Sequence, residues 1–174
     1  MSEVWNVCPK EGLGPLEFGM THAEVAEFEN IMGPLDETTE EILPNGRVTQ
    51  NEYRDSGSPT CSFENGILTH IGLRKSEIID VKFQDVSIFN DNSQDVYSTL
   101  GRSAGAVYWH HNSVVMPSLC LELIGFVMEY SPKGKPPVFK SKTAGFTWPR
   151  LRLFKPGHLP FDEKNLIEIS NEVA

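Results

Sequence analysis

The sequence predicts one α+β domain, a twisted antiparallel sheet with two short helices packed on one side. Three observations predict it. Two segments begin with polar helix caps, at Thr21 and Asn92; an Asn65-Gly66 pair separates two β-prone runs; and apolar and polar residues alternate through much of the remaining chain. A chain of 174 residues buries roughly 70% of the surface its unfolded form exposes. That suits a single domain over residues 1–174, with 1–85 and 86–174 as candidate subunits.

"EVWNVC" at 3–8 reads as a strand. In "GLGPLEFGMTHAEV", at 12–25, the glycines raise the question of a phosphate-binding loop. Pro15 removes a backbone donor, Glu17 adds negative charge, no Lys follows, and the spacing fits neither G-x-G-x-x-G nor G-x-x-x-x-G-K-[ST]. Thr21 and Glu24 instead form a capping box, with Met20 and Val25 as the hydrophobic staple. Val25, Phe28 and Met32 continue one helical face, and Gly33-Pro34 ends it. The run at 36–41 reads as a polar loop leading through Pro44-Asn45-Gly46 into a strand at 47–54. Residues 60–73 form a hairpin around Asn65-Gly66, and "EIIDVKF" at 77–83 continues the sheet with Ile79, Val81 and Phe83 on one face.

The order then recurs. Phe89, Asn92, Asp95, Val96 and Gly101 match Phe18, Thr21, Glu24, Val25 and Gly33, which suggests a diverged tandem of helix-plus-sheet units. Strands are expected at 104–111 and 117–130, followed by a Pro/Gly/Lys loop at 131–145. "FTWPRLRLFKP" and "KNLIEIS" add late strands, with Leu151 and Leu153 on one face, Arg150 and Arg152 on the other, and Pro149 arguing for an edge position.

The net charge is −9 and unevenly placed. Residues 17–46 hold eight carboxylates and no Lys or Arg, whereas 132–164 carries eight cations against Asp162 and Glu163. The acidic side repels nucleic acid and steers basic proteins. The basic side has neither stacking aromatics nor a nucleic-acid motif and reads as a solvated face. No run has the length of a membrane span. The N-terminal stretch lacks the basic and apolar regions of a secretory signal, so a cytoplasmic location is expected. Cys8, Cys61 and Cys120 fit neither a disulfide framework nor a metal pair and are expected to be reduced and mostly buried.

No catalytic motif names a reaction. There is no G-x-S-x-G elbow and no H-x-x-x-H or H-E-x-x-H spacing, and no metal or cofactor is expected. His110 and His111, as strand neighbours, should point to opposite faces. The candidate binding residues are therefore interfacial: the carboxylates Asp36, Glu37, Glu40, Glu41 and Asp55, with Tyr53, Trp109 and His111 as anchors.

The stretches "GPLEFGMTHAEV" and "FENGILTHIGL" resemble the N-terminal unit of small bacterial α+β proteins with a G-P-L-x-F-G-M-T-x-x-E-V opening. The unit is similar to the repeat of the beta-lactamase inhibitor protein and the SmpA/OmlA lipoprotein domain. Some proteins of this kind look like immunity proteins. The resemblance implies a non-enzymatic protein that neutralises a cognate antibacterial toxin by covering its active site. Two alternatives remain open: an enzyme or small-ligand binder using a pocket on the sheet with His70, His110 or His111, and an adaptor that takes a peptide strand along a sheet edge.

Overall fold

The computed structural model describes residues 2–55, 57–111, 113–126 and 149–170. Among them the chain forms an α+β fold of two open, twisted sheets. Strand β1 (Glu3–Cys8) turns Trp5 and Val7 into the core. The glycine-rich stretch folds into β2 (Gly12–Leu13) and β3 (Leu16–Glu17), which double back on β1. Gly14 has φ +56°, and a Cβ there would stand 2.6 Å from Trp5 Cγ. Only glycine passes so close over the indole.

Thr21 caps α1 (His22–Ala26) with both halves of the expected box. Thr21 Oγ1 accepts from the Glu24 N–H at 3.3 Å, and Glu24 Oε2 accepts from the Thr21 N–H at 2.7 Å. The single helix expected over 21–33 is in fact two pieces, α1 and α2 (Glu29–Met32). The Glu27 and Phe28 N–H groups bond the carbonyls three residues back, and this tighter turn interrupts the α-helix between Val25 and Met32, both of which are buried. Gly33 ends α2 at φ +80°.

The acidic run expected as a loop is a strand. β4 (Glu37–Ile42) pairs along its whole length with β5 (Val48–Tyr53). Thr38, Thr39 and Ile42 favour extended backbone, and an edge strand tolerates the charges because one side stays in water. β6 (Thr60–Glu64) and β7 (Ile67–Arg74) form the expected hairpin, with Asn65 at φ +52° and Gly66 at φ +80°. β8 (Ile79–Phe83) buries Ile79, Val81 and Phe83 as expected, but it does not continue this sheet. It runs parallel to β1, with Glu3 opposite Ile79, and pairs with β9 (Val86–Ser87).

Asn92 caps α3 (Ser93–Ala104), accepting the Gln94 N–H at 2.8 Å; the helix passes Gly101 and ends at Gly105. The strand expected from 104 therefore shrinks to β10 (Tyr108–His110). β11 (Ser113–Met116) follows, and a 3-10 turn at Pro117–Leu119 leads into β12 (Leu121–Ile124). β13 (Arg150–Phe154) places Leu151 and Leu153 inward and Arg150 and Arg152 outward, as expected. It is an interior strand, because Pro149 precedes the ladder and removes no bond from it. β14 (Ile167–Glu168) completes the large sheet. The expected loop at 131–145, Trp148 and residues 127–130 lie outside the described residues.

The large sheet has the order β14-β10-β11-β12-β13-β7-β6-β5-β4, and the small one β3-β2-β1-β8-β9. Two four-stranded meanders, β4–β7 and β10–β13, each following a capped helical segment, meet antiparallel at their last strands. The inner face of the large sheet, the small sheet and the helices share one core, which includes Trp5, Val25, Phe63, Ile71, Val81, Leu100, Leu123 and Leu153. The outer face of the large sheet is polar over β5–β7, and residues 155–161 lie against part of that face, with the Lys155 N–H on the Thr69 carbonyl, His70 on the His158 carbonyl and Phe161 edge-on to the buried Phe154.

Candidate functional site

The large sheet separates the predicted binding residues into two groups. Asp36, Glu37, Glu40, Glu41, Tyr53 and Asp55 lie on or beside the β4–β5 hairpin. Trp109 and His111 lie at the far end, on and just after β10, six strand positions from β5, or roughly 29 Å at about 4.8 Å per strand. Within the hairpin, pairing sorts the carboxylates. Glu37 opposes Tyr53 and Glu41 opposes Thr49 on the outer face, while Glu40 opposes Gln50 on the other. The Asp36 N–H donates to the Tyr53 carbonyl at 2.9 Å, and Asp55 stands exposed beside Gly33. None of these carboxylates forms an ion pair among the described residues.

At the other end, Trp109 on β10 is half-buried and packs against the core. His111 is exposed, but it is not a strand residue. Its backbone is left-handed, φ +53°, which swings its ring edge-on to His110 at 4.3 Å between centroids. The expected opposition of the two side chains fails because β10 ends at His110. Burial and the neighbouring His111 lower the His110 pKa. Among the described residues no three His, Cys, Asp or Glu side chains gather to hold a metal.

His70 is held on both sides. Its Nδ1 meets Thr69 Oγ1 at 2.8 Å and its Nε2 meets the His158 carbonyl at 2.9 Å. The carbonyl requires a donor, so the proton is on Nε2 and Nδ1 accepts from the hydroxyl. Burial pushes the His70 pKa down to about 4. A neutral ring with both nitrogens engaged is a structural group. Close by, His158 Nδ1 meets the buried Glu64 carboxylate at 2.5 Å, and Arg47 donates to the Gly157 carbonyl at 2.9 Å. These contacts clamp the C-terminal segment onto β5–β7. A second, partly buried group joins His22 Nδ1 to the buried Glu52 at 2.6 Å and Arg54 to the same carboxylate at 3.3 Å, with His22 stacked on Phe63 at 3.8 Å. It ties α1 to β5.

The open part of the outer face is a concavity of about 540 Å³ across β4, β5, β6, β7 and β13, with the carboxylates Glu41 and Asp55 at the β4–β5 end and Arg74, Arg150 and Arg152 at the other. Its side chains lie in transverse rows set by strand register. One row brings Arg150 opposite Arg74. The next runs from Arg152 through Gly72 to Thr60, and Tyr53 continues it on β5, since Glu52 opposes Cys61. The third holds His70, Ser62 and Asn51. Gly72 leaves the middle row bare, so the surface dips there. Arg152 pairs with the buried Glu122 at 3.1 Å. Arg74 and Arg150 form no ion pair among the described residues, and burial, Arg74 and Arg152 together lower the Arg150 pKa. The alternation of Arg150 and Arg152 with leucines is visible in the sequence. The opposition of Arg74 is set by a pairing between distant segments, for which the sequence carries no local signal.

Comparison of the chain with protein families, with curated proteins and with solved structures finds no match.

Proposed function

We propose that the protein is a non-enzymatic binding protein of the immunity type, acting in the cytoplasm by covering the active site of a cognate toxin with its acidic β4–β5 hairpin. The observation that carries this reading is the composition of an open edge. β4 ends the large sheet with its outer backbone groups unpaired by any described strand, and Asp36, Glu37, Glu40 and Glu41 are exposed with no ion pair among the described residues. At the tip, Ile42 and Val48 oppose each other at 72% and 46% exposure. Carboxylates on an edge strand resist indiscriminate strand addition while favouring a basic partner. An apolar pair beside them supplies the desolvated centre that charge alone does not. The exposed hairpin also supports an edge-binding geometry, in which a basic strand of the toxin adds to β4. No helix among the described residues is long and apolar enough to cross a membrane.

Co-expression with the product of the adjacent gene tests the reading. The expected result is toxicity of that product alone, rescue by this chain, and co-purification of the two. Charge reversal of Glu37, Glu40 and Glu41 to Lys should abolish rescue while the chain still folds. Absence of toxicity, absence of a complex, or full rescue by the reversed variant would overturn it.

A further inference from the structure

We infer that the concavity on the outer face of the large sheet is a binding site for a phosphomonoester with an extended, hydroxyl-bearing body, of the nucleoside monophosphate class. It adjoins the acidic hairpin, whose Glu41 and Tyr53 also line the concavity, but it does not depend on a protein partner. The phosphate end is set by Arg74, Arg150 and Arg152. Arg74 and Arg150 are direct cross-strand partners, an arrangement that destabilises a sheet when both residues carry the same charge. The described structure supplies a carboxylate only to Arg152, through Glu122. Two guanidinium groups on facing strands, without an ion pair among the described residues, offer the planar, multidentate donor set that a phosphate accepts.

The body of the ligand is set by the row beside them. Gly72 is an interior strand residue with ordinary backbone, so a left-handed turn does not explain it. Glycine at such a place weakens a strand and marks close approach to the backbone. A Cβ on Gly72 would stand 4.0 Å from both Arg152 Cγ and Thr60 Cβ, an ordinary packing distance, so a larger residue would fit the sheet and fill the dip. From Arg152 the floor runs over Gly72 and the Thr60 hydroxyl to Tyr53, three strand spacings or roughly 14 Å. Ser62 and Asn51 flank it with further hydrogen-bonding groups. Hydroxyls in the middle suit a sugar, and the half-buried Tyr53 ring at the end suits a flat apolar base. The volume is in the range of small-molecule sites.

Calorimetric titration with AMP, adenosine and inorganic phosphate tests this. Saturable AMP binding is expected, with adenosine and phosphate each at least about tenfold weaker, and the double variant Arg74→Gln/Arg150→Gln should lose at least about tenfold in AMP affinity. Its thermal midpoint should hold or rise, because a like-charge pair is removed. Gly72→Val should fold with an unchanged or higher midpoint and lose AMP binding. Absence of saturable AMP binding, equal affinity for adenosine, equal affinity for phosphate, or AMP binding unaffected in either folded variant would each overturn the assignment.

Discussion

His70 illustrates how one side chain is assigned by its surroundings. Alone in the sequence it was a candidate acid, base or ligand; in the fold it is a neutral linker between Thr69 and the His158 carbonyl. Its folded pKa lies near 4, below the ordinary value of 6.5. Between these two values the unfolded chain binds more protons, so acid favours unfolding there. Stability from this group is complete above about pH 6.5 and is lost as pH falls toward 4, a loss on the order of 3 kcal/mol. Urea denaturation across that window should show the decline, and His70→Gln, which keeps a donor for the carbonyl but cannot titrate, should flatten it. The sequence could not disclose this role, since the carbonyl that fixes the ring belongs to a residue 88 positions away. For His111 the reason is nearer: the strand ends at His110 and the backbone turns left-handed, so the alternation read from the sequence stops one residue short.

At the scale of elements, the helical pieces α1 and α2 are too short to persist unaided, and a buried charge network holds them to β5. Glu52 is its centre, accepting from Arg54 and meeting His22. Arg54 Nε and Nη1 have no other protein partner in the described structure. Glu52→Ala would leave the guanidinium buried without its nearest carboxylate, and chemical denaturation should report a loss of about 3–5 kcal/mol. Elements with local signals were legible: the Thr21 box, the Asn92 cap, the Asn65-Gly66 hairpin, and the Leu151/Leu153 alternation. Those decided by a partner were not. The strand character of 37–42 depends on β5 lying alongside, and the break at Phe28 depends on core packing of both helical pieces.

For the whole molecule, the class was readable from periodicity, whereas the assembly of strands into two sheets was not. Alternation in "EIIDVKF" identifies a strand and its buried face but does not name its neighbour. The meanders join along β7 and β13, so amides there lie deepest in the hydrogen-bonded network, while β4 has an open side. Hydrogen exchange followed by NMR should find the slowest amides in Ile71–Leu73 and Leu151–Leu153 and the fastest strand amides in Glu37–Ile42. The parallel pairing of Glu3 with Ile79 also has a meaning in time. During synthesis β1 leaves the ribosome long before β8 exists, and at about 5–20 residues per second the delay is roughly 4–15 s. Through that interval Trp5 and Val7 have no second strand beside them except the short β2–β3 return, so this stretch stays only half-sheltered while the residues up to β8 are made.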